Sequence, residues 1–227
     1  MEENPKHVAF ILDGNRRWAK ENGKMPWDGH KAGFDKLKDL FRWGKELNIK
    51  EISLYCFSIQ NFDRDKKEID FLMDIFEKAG KEILKNKDIH QNKVKVRFIG
   101  RLDMLPEKVQ KAAKDAMEAT KNYDDYILNF CVAYGGREEI IDGINKAILS
   151  GAEKVDEKTF GKYLYIDSCP DIVIRTSGEK RLSNFLTWQT TYSEWFFIDK
   201  YWPDFSKDDL IKIISEFKEK RKRRFGK

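Results

Sequence analysis

Cysteine, histidine and proline are sparse in this chain: three, three and five copies among 227 residues. The thiols Cys56, Cys131 and Cys169 stand far apart with no CxxC pair. A disulfide framework is therefore excluded, and buried free thiols in a reducing cytoplasm are expected. His7, His30 and His90 are scattered without the spacing of a zinc site. No apolar run approaches the ~18 residues of a membrane span, and the opening MEENPKH carries no apolar leader. A soluble, cytoplasmic protein is the expectation. Nucleotide signatures are missing as well: there is no GxxxxGK[ST] and no GxGxxG after a strand, which removes P-loop and dinucleotide chemistry. Ser177, in TSG, lies outside any GxSxG elbow. The pairs Asp124-Asp125 and Asp208-Asp209 lack a third aspartate three positions on and read as solvated turns.

Charge is abundant. Charged residues make up 37% of the chain, against a typical value of about 25%. The formal net charge is +5, and KRKRRFGK, residues 220–227, carries much of the excess. Such a tail is either a solvated helix end or a contact for phosphate-bearing ligands, anionic lipid or nucleic acid. Nucleic-acid binding needs a basic face with readout elements, whereas this run is confined to one end, so no nucleic-acid partner is expected. With no repeat or long linker, residues 1–227 read as a single domain able to bury roughly 70% of its unfolded surface.

Apolar β-like runs recur at 7–12, 51–57, 94–100, 126–134, 171–176 and 193–198. Helical patterns lie between or after them at 30–47, 65–86, 106–121, 137–149 and 206–224. In 30–47, Phe34, Leu37, Phe41, Gly44 and Leu47 share one face; in 65–86, Ile69, Leu72, Phe76, Ala79 and Ile83 do so. Alternation of strand and helix predicts an α/β fold with a central, mostly parallel six-stranded sheet covered on both faces. Ligands of such sheets bind beyond the carboxyl ends of the strands. Asp13, Ser58 and Arg175 each fall at such an end and are expected on one rim.

After the first strand come Asp13, Gly14, Asn15, Arg16 and Arg17. A glycine turn, a helix start and adjacent arginines suit an anion. A carboxylate repels phosphate, unless a divalent cation bridges the two, as Mg²⁺ does; alternatively, Asp13 caps the helix. After the second strand, Ser58, Asn61 and Arg64 interleave with Ile59 and Phe62, and Glu68 follows. After the fifth, Arg175, Arg181 and Ser183 surround Gly178, again suited to phosphate. Each loop also fits an ordinary connection. Their convergence favours a polyanion site.

Taken together, HVAFILDGNRRWAK (7–20), GHKAG (29–33), YCFSIQNFDR (55–64), AYGGR (133–137), DIVIRTSGEKRLSNFLTWQ (171–189) and YSEWFFIDKYWPDF (192–205) resemble the cis-prenyltransferases. These include undecaprenyl and dehydrodolichyl diphosphate synthases. The motifs follow the family order over nearly the whole chain. The resemblance implies a homodimer that uses Mg²⁺ to add isopentenyl diphosphate repeatedly to an allylic diphosphate, farnesyl or geranylgeranyl. New cis double bonds form, giving a polyprenyl diphosphate for a glycosyl carrier lipid.

It also implies roles. Asp13 would engage metal and diphosphate, with Glu194 as the second acidic metal ligand. Gly14, Asn15, Arg16, Arg17, Trp18 and His30 would surround the allylic diphosphate. Ser58, Ile59, Gln60, Phe62 and Arg64 would form a mobile substrate loop beside Glu68, and Asn61 would assist proton removal. Arg175, Arg181, Leu182 and Ser183 would form the isopentenyl diphosphate pocket, and Arg224-Phe225-Gly226 would reach the partner's site. The family's apolar tunnel would run between helices 30–47 and 65–86 and the sheet, with Phe34 and Cys56 shaping it, although plain core packing also explains these residues. Three positions depart from the pattern: Pro26 for an arginine, Phe62 for a tryptophan and Lys180 for a histidine. They point toward archaeal or eukaryote-like members. A short-chain synthase and a non-catalytic partner subunit are the alternatives. Peripheral membrane contact through the basic tail would suit so apolar a product.

Overall fold

The chain runs β1 (His7–Ile11), α1 (Asn15–Glu21), α2 (Pro26–Glu46), β2 (Glu51–Ser58), α3 (Lys66–Ile83), α4 (Lys87–Gln91), β3 (Val94–Ile99), α5 (Glu107–Thr120), β4 (Tyr126–Tyr134), α6 (Gly136–Leu149), α7 (Glu157–Phe160), β5 (Ile172–Arg175), β6 (Glu194–Phe197) and α8 (Lys207–Arg223). A computed structural model describes residues 4–223; Arg224-Phe225-Gly226 and the end of the basic tail lie outside the described residues. The strands make one six-stranded sheet in the order β3-β4-β2-β1-β5-β6. Every neighbouring pair is parallel, so the expected "mostly parallel" sheet is wholly so among the described strands. No helix of the described residues is long and apolar enough to cross a membrane.

β1 is central, and all five of its residues are buried. Covered on both faces, it needs a continuous apolar run rather than alternation. One core lies between the sheet and α2, α3, α5 and α8, with Phe10, Leu40, Leu54, Phe57 and Trp202 among its members. A smaller core on the other face joins Tyr134, Ile166 and Phe185.

Several sequence expectations shift. Helix α2 begins at Pro26, earlier than the predicted 30, because Pro26 lacks the N–H that a first turn leaves unpaired. Met25 N–H donates to Asp28 Oδ2 at 3.0 Å and completes the start. Its most buried stripe is His30, Gly33, Leu37, Leu40 and Gly44, with Trp43 beside it, while Phe34 and Phe41 are only half-buried. Gly33 and Gly44 permit this rotation: a Cβ on Gly44 would lie 2.7 Å from Ile52 Cδ1. All three cysteines are free, but Cys169 is exposed and Cys56 half-buried, so only Cys131 is the buried thiol expected. Cys169 precedes Pro170 in the connection to β5, outside the sheet layers.

Candidate active site

The C-terminal ends of β1, β2 and β5 open into one cavity of about 1070 Å³. Its floor is apolar, from Ile11, Leu12, Tyr55, Cys56 and Leu72. Its wall carries Arg16, Arg17, Lys20, Lys24, Arg64, Arg175 and Arg181 against, among the described residues, a single lining carboxylate, Asp13. That imbalance suits a polyanion with an apolar tail.

The turn after β1 positions Asp13. Gly14 sits there at φ 103°, and a Cβ on it would approach Tyr201 Cδ1 to 2.6 Å, so only glycine fits. Asp13 Oδ1 accepts from Gly14 N–H at 2.7 Å and Oδ2 from Arg175 Nη2 at 2.8 Å. Its carboxylate thus serves the rim and does not cap α1, whose first turn has no side-chain cap. Burial opposes ionisation of Asp13, but the Arg175 hydrogen bond and charge, with Gly14 N–H and the Ser177 hydroxyl, hold its carboxyl below the usual range. Because α1 spans seven residues, the arginine side chains supply most of the positive potential. Arg17 donates through Nη2 to Ser177 Oγ at 2.6 Å and through Nη1 to Glu179 Oε1 at 3.4 Å. Asn15 lines the cavity and packs against Gly33 of α2, where a Cβ would lie 2.5 Å from Asn15 Oδ1.

At the end of β2, a 3-10 turn over Ile59–Asp63 carries the second loop. Ser58 N–H donates to Asn61 Oδ1 at 3.1 Å, which commits the Asn61 carbonyl to the turn, and Asn61 lines the cavity. Gln60 also lines it, whereas Ile59 and Phe62 do not; Phe62 packs edge-on against Phe57 at 4.9 Å. Behind this wall Glu68, 8% exposed, accepts from Arg64 Nη1 at 2.9 Å and bonds His30 Nε2 at 3.0 Å, with Arg16 Nη1 3.7 Å away. Burial opposes its ionisation, but the His30 hydrogen bond and the Arg64 and Arg16 charges outweigh that and hold the Glu68 carboxyl below its usual range. Burial dominates at His30 and pushes its pKa down, so the ring is neutral at pH 7. Burial also pushes the Cys56 thiol up to about 12, which makes it inert.

Arg175 is nearly enclosed, and its Nη1 donates to Arg181 O and to Ser183 Oγ, the latter at 2.7 Å. Arg181 and Ser183 line the cavity; Leu182 and Trp18 do not. Leu182 is exposed, and Trp18 Nε1 donates to Asp204 Oδ1 at 2.8 Å. Glu194 is not brought to Asp13. It opens β6 opposite Ile172, three pairs before the Arg175–Phe197 pair at the rim, which is about 10 Å of strand. Among the described residues no group of three or more His, Cys, Asp or Glu side chains is disposed to hold a metal. Sequence reasoning missed Lys20, Tyr55 and Asn184 of the lining. Tyr55 had a signal, a tyrosine next to the end of a buried strand; its hydroxyl donates to Ser183 O at 3.1 Å and ties β2 to the β5 loop.

Residues 11–226 match the model of a family described as "Putative undecaprenyl diphosphate synthase". The chain belongs to this prenyltransferase family. Its members are transferases, and the chain is a cis-prenyltransferase. It is 48% identical to the tritrans,polycis-undecaprenyl-diphosphate synthase (geranylgeranyl-diphosphate specific) of Thermococcus kodakarensis, over 98% of this chain and 87% of the relative. The protein of the same name from Methanocaldococcus jannaschii is 46% identical over 98% and 83%. Among solved structures, lavandulyl diphosphate synthase from Lavandula x intermedia, in complex with dimethylallyl diphosphate, aligns with a TM-score of 0.88 at 35% identity over 95% of each chain. A probable undecaprenyl diphosphate synthase from Campylobacter jejuni aligns at 0.82 and 33% over the whole of both chains.

Proposed function

We propose that this prenyltransferase extends geranylgeranyl diphosphate with isopentenyl diphosphate units into a polyprenyl diphosphate, the precursor of a glycosyl carrier lipid. The observation that carries the reading is the cavity itself: seven cationic side chains stand around one carboxylate above an apolar floor. Its relatives' names favour geranylgeranyl diphosphate over farnesyl diphosphate as the primer.

Arg16 and Arg17, with Gly14 and Asn15, hold the allylic diphosphate. Arg175, Arg181 and Ser183 hold isopentenyl diphosphate, and the growing chain extends over Leu72 between α2, α3 and the sheet. A magnesium ion fits Asp13: the carboxylate is ionised, borders the cavity and is the only one lining it among the described residues. An ion held by one carboxylate takes its remaining ligands from diphosphate and water. When bound, Mg²⁺ neutralises charge on the departing diphosphate. The arginines stabilise the same anion, which gains charge as the allylic C–O bond breaks. The isopentenyl double bond then attacks and a proton leaves the adjacent carbon. Asn61 donates from its amide nitrogen and orients the diphosphate oxygen that takes this proton; its carbonyl is engaged by Ser58 N–H. An Asn61→Ala enzyme with unchanged turnover and substrate affinity would exclude that role.

The enzyme acts as a homodimer. The outer face of α6 supports this, with Ile141, Ile144 and Ile148 exposed along it at the spacing of one helical stripe. Peripheral contact with an anionic membrane through the basic tail serves product transfer.

The test is product length: purified protein, Mg²⁺, geranylgeranyl diphosphate and labelled isopentenyl diphosphate, with Asp13→Ala as control. A ladder of long products absent from the control is expected. A single short product would instead support a short-chain synthase, the reading favoured by the likeness to lavandulyl diphosphate synthase. No incorporation with any primer would leave the partner-subunit reading.

A further inference from the structure

Ser177 has a φ of 81°. L side chains avoid this region because Cβ crowds the backbone, whereas glycine enters it freely. The neighbouring Gly178 does so at 76°. Ser177 is buried, at 6% exposure, so solvent contact does not account for its hydroxyl. Strain at a functional site points to a role for the group that carries it.

The role lies in what the hydroxyl touches. Ser177 Oγ accepts from Arg17 Nη2 at 2.6 Å, and Ser177 O accepts from Arg17 Nη1 at 3.3 Å. Ser177 N–H donates to Lys200 O at 2.6 Å, which anchors the strained residue from behind. Arg17 Nη2 itself lies 3.6 Å from Asp13 Oδ1. Arg17 is thus already an ion-pair partner of Asp13 and of Glu179, and the Ser177 hydroxyl and carbonyl add the directional contacts that fix its guanidinium.

We infer that Ser177 is a positioning residue: its hydroxyl and carbonyl, placed by a strained backbone, hold the Arg17 guanidinium at the rim of the cavity for a diphosphate. Ser177 does not line the cavity and acts through Arg17. The inference rests on the proposed diphosphate reading of the site.

The test compares Ser177→Gly with Ser177→Ala. Glycine removes both hydroxyl and strain, whereas alanine removes the hydroxyl and keeps the strain. Ser177→Gly should melt at or above the wild-type temperature. Both variants should bind inorganic pyrophosphate about tenfold more weakly by calorimetry, the size expected for one charge-assisted hydrogen bond, and the KM for the allylic diphosphate should rise by more than kcat falls. If Ser177→Ala does not fold, Ser177→Gly carries the test. In an Arg17→Ala background, Ser177→Gly should cause no further loss, since coupled residues are not additive. Wild-type pyrophosphate affinity in Ser177→Gly would overturn the inference, as would losses that simply add in the double variant. A wild-type protein that failed to bind pyrophosphate would overturn the diphosphate reading along with it.

Discussion

Arg175 and Asp13 are 162 positions apart, yet Arg175 Nη2 donates to Asp13 Oδ2 at 2.8 Å. Parallel pairing of β1 with β5, with Ile11 opposite Arg175, sets this contact. Arg175 is 3% exposed, so the carboxylate serves the fold as well as the proposed chemistry. Asp13→Ala should abolish isopentenyl incorporation, with a fall of at least about 100-fold. It should also destabilise the protein by about 3 kcal/mol, because a buried charge is left unpaired. Asp13→Asn, which keeps an acceptor for Arg175, should lose activity with a smaller loss of stability. Urea unfolding beside the incorporation assay separates the two effects; equal stability of both variants with wild type would refute the structural half.

Glu68 collects Arg64, His30 and Arg16 from three different elements. Glu68→Gln should raise the KM for the allylic diphosphate several-fold, because Arg16 and Arg64 lose the charge that orients them. Glu68→Ala should lower stability by roughly 1–3 kcal/mol through unsatisfied partners. Steady-state kinetics and thermal melts are the measurements, and an unchanged KM in both variants would exclude the orienting role.

His7 lies at the opposite end of the sheet, where its Nε2 bonds Ser53 Oγ at 2.7 Å. Burial lowers its pKa below 6.5, despite the opposing pull of Glu51 and Asp171. The unfolded chain therefore takes up the proton first, and stability gained above pH 6.5 is lost as the pH falls below it. The slope there should reach up to about 1.4 kcal/mol per pH unit for this group. Unfolding free energies measured from pH 7.5 to 5 should show this slope in wild type and a flatter curve in His7→Gln. Identical curves would rule His7 out as the source.

The α6 face gives a test of assembly. Ile148 is 68% exposed and Ile144 42%. Wild type should run as the proposed dimer in light scattering, and an Ile144→Glu, Ile148→Glu double variant as a monomer at the same concentration, with its melting temperature little changed. A variant that remains dimeric would move the interface elsewhere.

Much of this protein was legible in its sequence because local patterns carry it. Six apolar runs became six strands, since a strand buried on both faces needs only continuous apolar residues. Asp13-Gly14 and the Arg175 loop fell on one rim because a parallel sheet leaves no other place for strand C-terminal ends. The face of α2 was misjudged by one residue, because Gly33 and Gly44 let other elements approach closely and periodicity is blind to that. Glu194 is attached to its motif in sequence, but its place at the start of β6 follows from the β5 pairing.

Sequence alone therefore determined the α/β class, the family and most of the cationic wall, all properties of residue types at short spacings. Only the tertiary structure decided that Arg175 is tied to Asp13, that Glu68 is a hub, that the Asn61 carbonyl is engaged by Ser58 N–H and that a strained Ser177 meets Arg17. Those are contacts between residues far apart in the chain, or backbone angles imposed by packing. Neither is written in a local pattern, because both depend on which surfaces meet once the sheet has assembled.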